Sequence, residues 1–239
     1  MSFKNKNILI VGASSGIGLS LTTKLAEQNA TIYAASRTRA ESWPSTVQYQ
    51  KMDVMESTDV LTPFLPDQLH GLVYSVGNIN LKPFSRVSAE DLVEDFKLNV
   101  VGAAKVIQQS LKSLKNAGGS SIVLISSVAA RTGMSFHAST AASKAALEGF
   151  ALSLAAELAI QQIRVNVVAP SLTETPLAEK LLNTADKKDS AARRHPMGKI
   201  GTVDDISAAI AFLLSDQTNW ITGQVIGIDG GFGALRTNL

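Results

Sequence analysis

Seven short runs of β-favouring apolar residues recur along this chain, and longer segments with helical periodicity separate most of them. The runs are NILIV at 7–11, TIYAA at 31–35, VQYQK at 47–51, LVYSV at 72–76, SIVLIS at 121–126, RVNVVA at 164–169 and QVIGI at 224–228. Near-continuous apolar strands suit a sheet buried on both faces, and strands alternating with helices form parallel pairs because each return needs a crossover. The pattern predicts a doubly wound α/β fold, a mostly parallel seven-stranded sheet with helices on both faces. No repeat or low-complexity linker divides the 239 residues, so one domain is expected.

Helices are predicted from about Gly16 to Gln28, from a capping box of Ser88 and Asp91 to about Asn116, from about Ala138 to Gln161, and from Val203 to Leu214. The helix over 138–161 has only Lys144, Glu148 and Glu157 as charges, so protein is expected to cover both of its sides. The least regular segment, 171–200, contains Pro176 and Pro196 and suits either a lid over the strands' carboxyl ends or an ordinary solvated insert. Fifteen residues separate Arg37 from Asp53, which leaves the helix between the second and third strands shortened or missing.

Composition narrows the function. Without cysteine there is no disulfide, thiolate metal site or cysteine nucleophile, and no metal site is expected. A formal charge of +2 argues against a nucleic-acid partner, and no apolar run is long enough to span a membrane. With the polar start at Met1 to Asn7, a cytoplasmic protein is the expectation. Only 18% of residues are charged, against roughly 25% in typical domains, a deficit concentrated in the 138–161 helix and the last strand and tail.

After the first strand the chain reads VGASSGIGLSL, with Gly12, Gly16 and Gly18 between strand and helix. Glycines let a backbone turn tightly against a pyrophosphate, and a helix start points unpaired N–H groups at it. The end of the second strand, AASRTR, carries neutral Ser36 and cationic Arg37 where a carboxylate would accept from the ribose hydroxyls of NAD. A guanidinium there suits the extra phosphate of NADP(H), which is the preferred cofactor on this reading; a solvated loop charge is the alternative.

The Gly-x-x-x-Gly-x-Gly spacing, Asp53-Val54, Gly77, Asn99, Ser126-Ser127 and the late segments PMGKIGTVDDIS and FLLSDQTNWITGQVIGIDGG together resemble the short-chain dehydrogenase/reductase family over almost the whole chain. The resemblance implies a Rossmann fold and hydride transfer between a nicotinamide and a small carbonyl or alcohol substrate. The general look is toward 3-oxoacyl-carrier-protein reductases and sugar-alcohol dehydrogenases. It also implies cofactor contacts from the loop residues Ser14, Ser15 and Ile17 as well as its glycines, from Asp53 and Val54 at adenine, from Gly77, and from Pro170 and Thr173 near the nicotinamide. The low-charge surfaces would then be subunit contacts of a homo-oligomer, most simply a tetramer.

By the same resemblance Asn99, Ser127 and Lys144 fall at catalytic positions, with Lys144 also holding the nicotinamide ribose. The position of the proton-donating tyrosine is Thr140, four residues before Lys144 and thirteen after Ser127. An aliphatic hydroxyl is a far weaker acid than a phenol of pKa about 10. His137, one turn before Thr140 if the helix includes it, is the best substitute, with a plain loop histidine as its alternative. Ser139 points about 100° away and is a poorer one. Two further departures are Tyr74-Ser75 in place of the family's asparagines and Ser171 in place of the glycine after Pro170. Tyr74 reads as a packed strand residue, with a phenol brought near the cofactor as its alternative. The chain is thus expected to be an NADP(H)-dependent oxidoreductase, or else a nucleotide-binding sensor or partner subunit with little turnover.

Overall fold

The computed structural model describes residues 1–236. The strands β1 (Asn7–Val11), β2 (Thr31–Ser36), β3 (Gln48–Lys51), β4 (Gly71–Tyr74), β5 (Ser120–Ile125), β6 (Ile163–Pro170) and β7 (Val225–Ile228) form one sheet. Their order is β3-β2-β1-β4-β5-β6-β7 and each pairing is parallel. Between β1 and β4 the direction of winding reverses, and a crevice opens there at the carboxyl ends of the strands.

Helices cover both faces. On one, α4 (Gly102–Asn116) and α5 (Ala138–Leu158) place Ala103, Val106, Leu147 and Ala151 against Leu9, Leu72, Ile122 and Val165. On the other, α1 (Gly16–Glu27) and α8 (Val203–Leu214) place Leu21, Leu25, Ile206 and Ile210 against Ile8, Ile10, Val73 and Val123. Neighbouring strand residues point to opposite faces, so two covered faces need apolar side chains at consecutive positions. The shorter helices are α2 (Leu61–Phe64), α3 (Ala89–Phe96), α6 (Glu179–Leu182) and α7 (Ala185–Arg193).

Several sequence expectations need correction. The helix from Ser88 begins with its capping box but does not run evenly to Asn116: a π-helical turn, Lys97–Val101, separates α3 from α4. The Tyr74 hydroxyl donates to the Leu98 carbonyl in this turn at 2.6 Å, and a side chain at Gly102 would collide with that hydroxyl. In agreement with the short spacing from Arg37 to Asp53, no helix joins β2 to β3. Instead Trp43, 6% exposed, packs against Tyr49 and donates its indole N–H to the Ala13 carbonyl at 3.2 Å. An aromatic anchor thus supplies part of the burial a helix would give.

The 138–161 segment is covered on one side only within the chain. Leu147, Ala151 and Leu158 are buried, whereas Ala142, Ala145, Gly149, Leu152 and Ala156 are exposed. Segment 171–200 is more ordered than its sequence suggests: α6, α7 and the 3₁₀ turn Pro176–Ala178 enclose a small core of Ala178, Leu182 and Ala191.

Candidate active site

A cavity of about 760 Å³ lies at the carboxyl ends of the strands, lined by residues of every strand-end loop from β1 to β6. At one end is the turn between β1 and α1. Gly12, Ser14, Ser15, Gly16 and Ile17 line it; Gly18 does not, because it packs beneath the turn. Gly12 has φ +84°, and a Cβ there would lie 2.6 Å from the Ser75 carbonyl oxygen; one at Gly18 would strike the Gly12 carbonyl. Ser15 is the N-cap of α1 but makes no side-chain cap bond, and the first turn holds no acidic residue. The helix start therefore keeps donors and a positive dipole end for an anion.

Ser36 and Arg37 line the cavity where β2 ends. Ser36 donates to the Thr38 carbonyl at 2.7 Å, while Arg37 is exposed and pairs with no carboxylate among the described residues. Asp53 and Val54 line the wall beside them. One Asp53 carboxylate oxygen accepts the Met55 N–H at 3.0 Å, so this residue forms its own turn as well as facing the cavity.

Gly77, Ser127, His137, Thr140, Lys144, Pro170 and Thr173 border the other end. Lys144 is buried and its ammonium donates to the Ile125 carbonyl at 2.7 Å. Burial lowers its pKa to about 8, with the Asp95 carboxylate acting in the opposite direction. Ser127 Oγ accepts the Ala129 N–H at 3.2 Å as the cap of the following 3₁₀ turn, and its own hydrogen remains available for a ligand. Asn99 lies behind the lining. Its amide donates to the Asp95 carbonyl at 2.9 Å and to Ser143 Oγ at 3.2 Å, leaving its buried Oδ1 without a partner among the described residues. Thr140 Oγ1 is likewise buried and unpartnered. Two orphaned polar atoms beside a lysine with spare donors are what a site built for a polar ligand leaves behind in the protein alone.

His137 does not belong to α5; it is the N-cap, with φ −103° and ψ 12°. Its Nδ1 lies 2.7 Å from the Ser135 carbonyl, an acceptor, so Nδ1 carries a proton. Tyr74 offers no substitute acid. It lies outside the cavity lining, and burial, then the Asp53 charge, push its pKa up.

Sequence reasoning missed Asp95 and His195. Asp95 is 1% exposed, accepting from Asn78 Nδ2 and Ser139 Oγ, both at 2.5 Å. Its position one turn before Asn99 is a signal, but an acid on a helix usually faces solvent. His195 lines the cavity from the end of segment 171–200, and nothing in RRHPMG indicates that it turns inward.

Residues 12–233 match a family model described as enoyl-(acyl carrier protein) reductase. The chain belongs to the short-chain dehydrogenase/reductase family. A 3-oxoacyl-[acyl-carrier-protein] reductase from Thermotoga maritima is 34% identical, covering 97% of this chain and 99% of the relative. A tropinone reductase homolog from Arabidopsis thaliana is 31% identical over 96% of this chain and 94% of its own. Among solved structures, a short-chain type dehydrogenase/reductase from Mycobacterium ulcerans superimposes with a TM-score of 0.91 at 28% identity, over 99% of this chain and 92% of that one. A Tyr-to-Phe variant of ElxO with NADPH bound gives 0.87 at 25% identity, over 96% and 99%. This short-chain dehydrogenase/reductase is therefore an oxidoreductase. Among its described residues no helix is long and apolar enough to cross a membrane, and no cluster of side chains could hold a metal ion.

The Lys144 shift predicts a pH dependence. Above about 8 the folded protein loses the ammonium, so affinity for a nicotinamide cofactor is expected to fall as pH rises through this value, and the limb should vanish in Lys144→Met. Fluorescence titration of NADPH across pH measures both. The unfolded chain holds that proton to higher pH, so this group's contribution to stability rises with pH above about 8.

Proposed function

We propose that this protein is a single-domain, NADP(H)-dependent oxidoreductase acting on a small carbonyl or alcohol substrate, with 3-oxoacyl compounds and small ketones as the first classes to test. The observation that carries the reading is one cavity joining a glycine turn at a helix start, a free guanidinium at the end of β2, and a buried lysine beside Ser127. The residues fit the cofactor. Gly12, Ser14, Ser15, Gly16 and Ile17 would hold the pyrophosphate, with Gly18 keeping the turn closed. Ser36 and Arg37 would hold the ribose phosphate, Asp53 and Val54 the adenine, Gly77 and Lys144 the nicotinamide ribose, and Pro170 and Thr173 the nicotinamide. The NADPH in the ElxO variant supports the same choice.

When bound, the nicotinamide supplies or accepts the hydride. The chain's own groups do the rest. Ser127 donates a hydrogen bond to the substrate oxygen and stabilises the charge that develops there. The Lys144 ammonium favours negative charge nearby, and Asn99 Oδ1 offers an acceptor for water leading to it. Segment 171–200 closes the cavity's open side as a lid, and the exposed small residues of α5 serve as a subunit contact in a homotetramer.

The orphaned Thr140 hydroxyl favours a second reading, a nucleotide-binding sensor or partner subunit without turnover. Titrating NADPH and following its oxidation with a panel of ketones and 3-oxoacyl thioesters separates the two. Turnover supports the enzyme; tight binding without any supports the sensor. Arg37→Ala should weaken NADPH binding by about 10-fold or more, with little change for NADH, because only the former loses a guanidinium–phosphate pair. Equal losses would overturn the phosphate assignment.

A further inference from the structure

His195, 4% exposed, has both ring nitrogens engaged: Nδ1 lies 2.8 Å from the Ala191 carbonyl and Nε2 2.8 Å from Ser171 Oγ. A carbonyl only accepts, so Nδ1 carries a proton. In the neutral ring Nε2 accepts from the Ser171 hydroxyl. In the imidazolium, Nε2–H donates to Ser171 Oγ, and the serine hydrogen is released for another acceptor.

Placement makes this pair chemically useful. Ile125 of β5 and Val168 of β6 are opposed in register. Ser127 and Ser171 lie two and three residues further on, just beyond the ends of neighbouring strands about 4.8 Å apart. Both serines and His195 line the cavity. Phe232 packs on the imidazole at 5.4 Å, and a Cβ on Gly230 would lie 3.7 Å from His195 Cβ, which holds the ring between α7 and the tail. The charged residues on these elements are Asp186, Lys187, Lys188, Asp189 and Arg193 of α7, Arg194 beside the histidine, and Asp229 and Arg236 in the tail; the Asp229 oxygens accept from the Gly231 and Gly233 N–H groups. His137 is less constrained, with one ring nitrogen bonded among the described residues.

We propose that Ser171 and His195 form the proton relay of this site, Ser171 as a catalytic residue and His195 as the group that acts through it. The inference rests on the oxidoreductase reading above. As the carbonyl carbon accepts a hydride, the carbonyl π pair takes the Ser171 proton to form the alcohol O–H. Ser171 Oγ takes the Nε2 proton of the imidazolium, and solvent later reprotonates the neutral ring. In alcohol oxidation each transfer reverses, and the neutral imidazole is the starting form.

The test uses the full chain with NADPH and the carbonyl panel, and NADP⁺ with the corresponding alcohols, across pH. Ser171→Ala and His195→Gln should each lower kcat by about 30-fold or more, within the range for general acid–base assistance, while NADPH affinity stays within about threefold. Wild-type reduction should slow, and oxidation accelerate, with rising pH; both dependences should be absent from His195→Gln. Ser171→Ala leaves the buried histidine in place, so its loss of kcat does not depend on His195→Gln folding normally. Wild-type turnover matched within about threefold by both variants overturns the relay and leaves the oxidoreductase standing. Loss of turnover in His137→Ala with neither variant affected does the same. NADPH binding with no wild-type turnover on any compound overturns both, since a working relay supplies the acid.

Discussion

Thr140→Tyr is expected to raise kcat for carbonyl reduction by about 10²-fold, the low end of what a positioned general acid contributes. Thr140 faces the cavity with an unpartnered buried hydroxyl, and Lys144 on the next turn of α5 is a buried ammonium with donors to spare. A phenol there gains an opposite charge that lowers its pKa from about 10 toward neutrality, which a threonine hydroxyl cannot use. Steady-state NADPH oxidation checks the rate, and fluorescence titration checks that cofactor affinity is unchanged. If Ser171 and His195 supply the proton in the natural chain, His195→Gln should cost much less in the Thr140→Tyr background, a non-additivity expected of groups sharing one role. An unchanged kcat with NADPH still bound would show that proton donation is not what limits this site.

The other large effect is expected from Gly12→Val. A non-glycine residue at φ +84° costs about 1–2 kcal/mol in backbone strain. A Cβ placed 2.6 Å from the Ser75 carbonyl oxygen must also move backbone, an overpacking cost of roughly 1–3 kcal/mol. At a middle value of about 3 kcal/mol, Tm should drop by roughly 10 °C for a chain of this size. If the turn holds the pyrophosphate as proposed, NADPH affinity should fall by more than about 10-fold. Thermal denaturation and fluorescence titration read the two separately. Normal Tm and normal affinity together would mean that the β1–α1 turn is not the phosphate cradle.

Much of this protein is legible without coordinates. The strands are readable because both sheet faces are covered, which forces consecutive apolar residues and leaves a signal that needs no partner to interpret. The Ser88 cap is local too, since a capping box closes within four residues. Ends of elements are less legible. LVYSV reads as a strand to Val76, but pairing stops at Tyr74, where the chain turns to line the cavity. The π turn at Lys97–Val101 has no signature in KLNVV, because its stability comes partly from Tyr74, a residue of β4.

The site divides along the same line. Sequence alone determined the glycine turn and the absence of a carboxylate at Ser36-Arg37, because each is a property of residue type at a fixed spacing, while the reading of Thr140 in place of a phenol came from the family resemblance. Only the tertiary structure decided what surrounds them. It removed Tyr74 as a source of protons by burying its hydroxyl against Leu98, placed His137 at a helix cap instead of on the helix face, and turned Asp95 inward toward Asn78 and Ser139. It also joined His195 to Ser171 across 24 residues of chain, a contact set by how segment 171–200 folds back over the end of β6. Hydrogen bonds act over about 3 Å in space, and spacing along the chain reports that distance only within a turn or between paired strands.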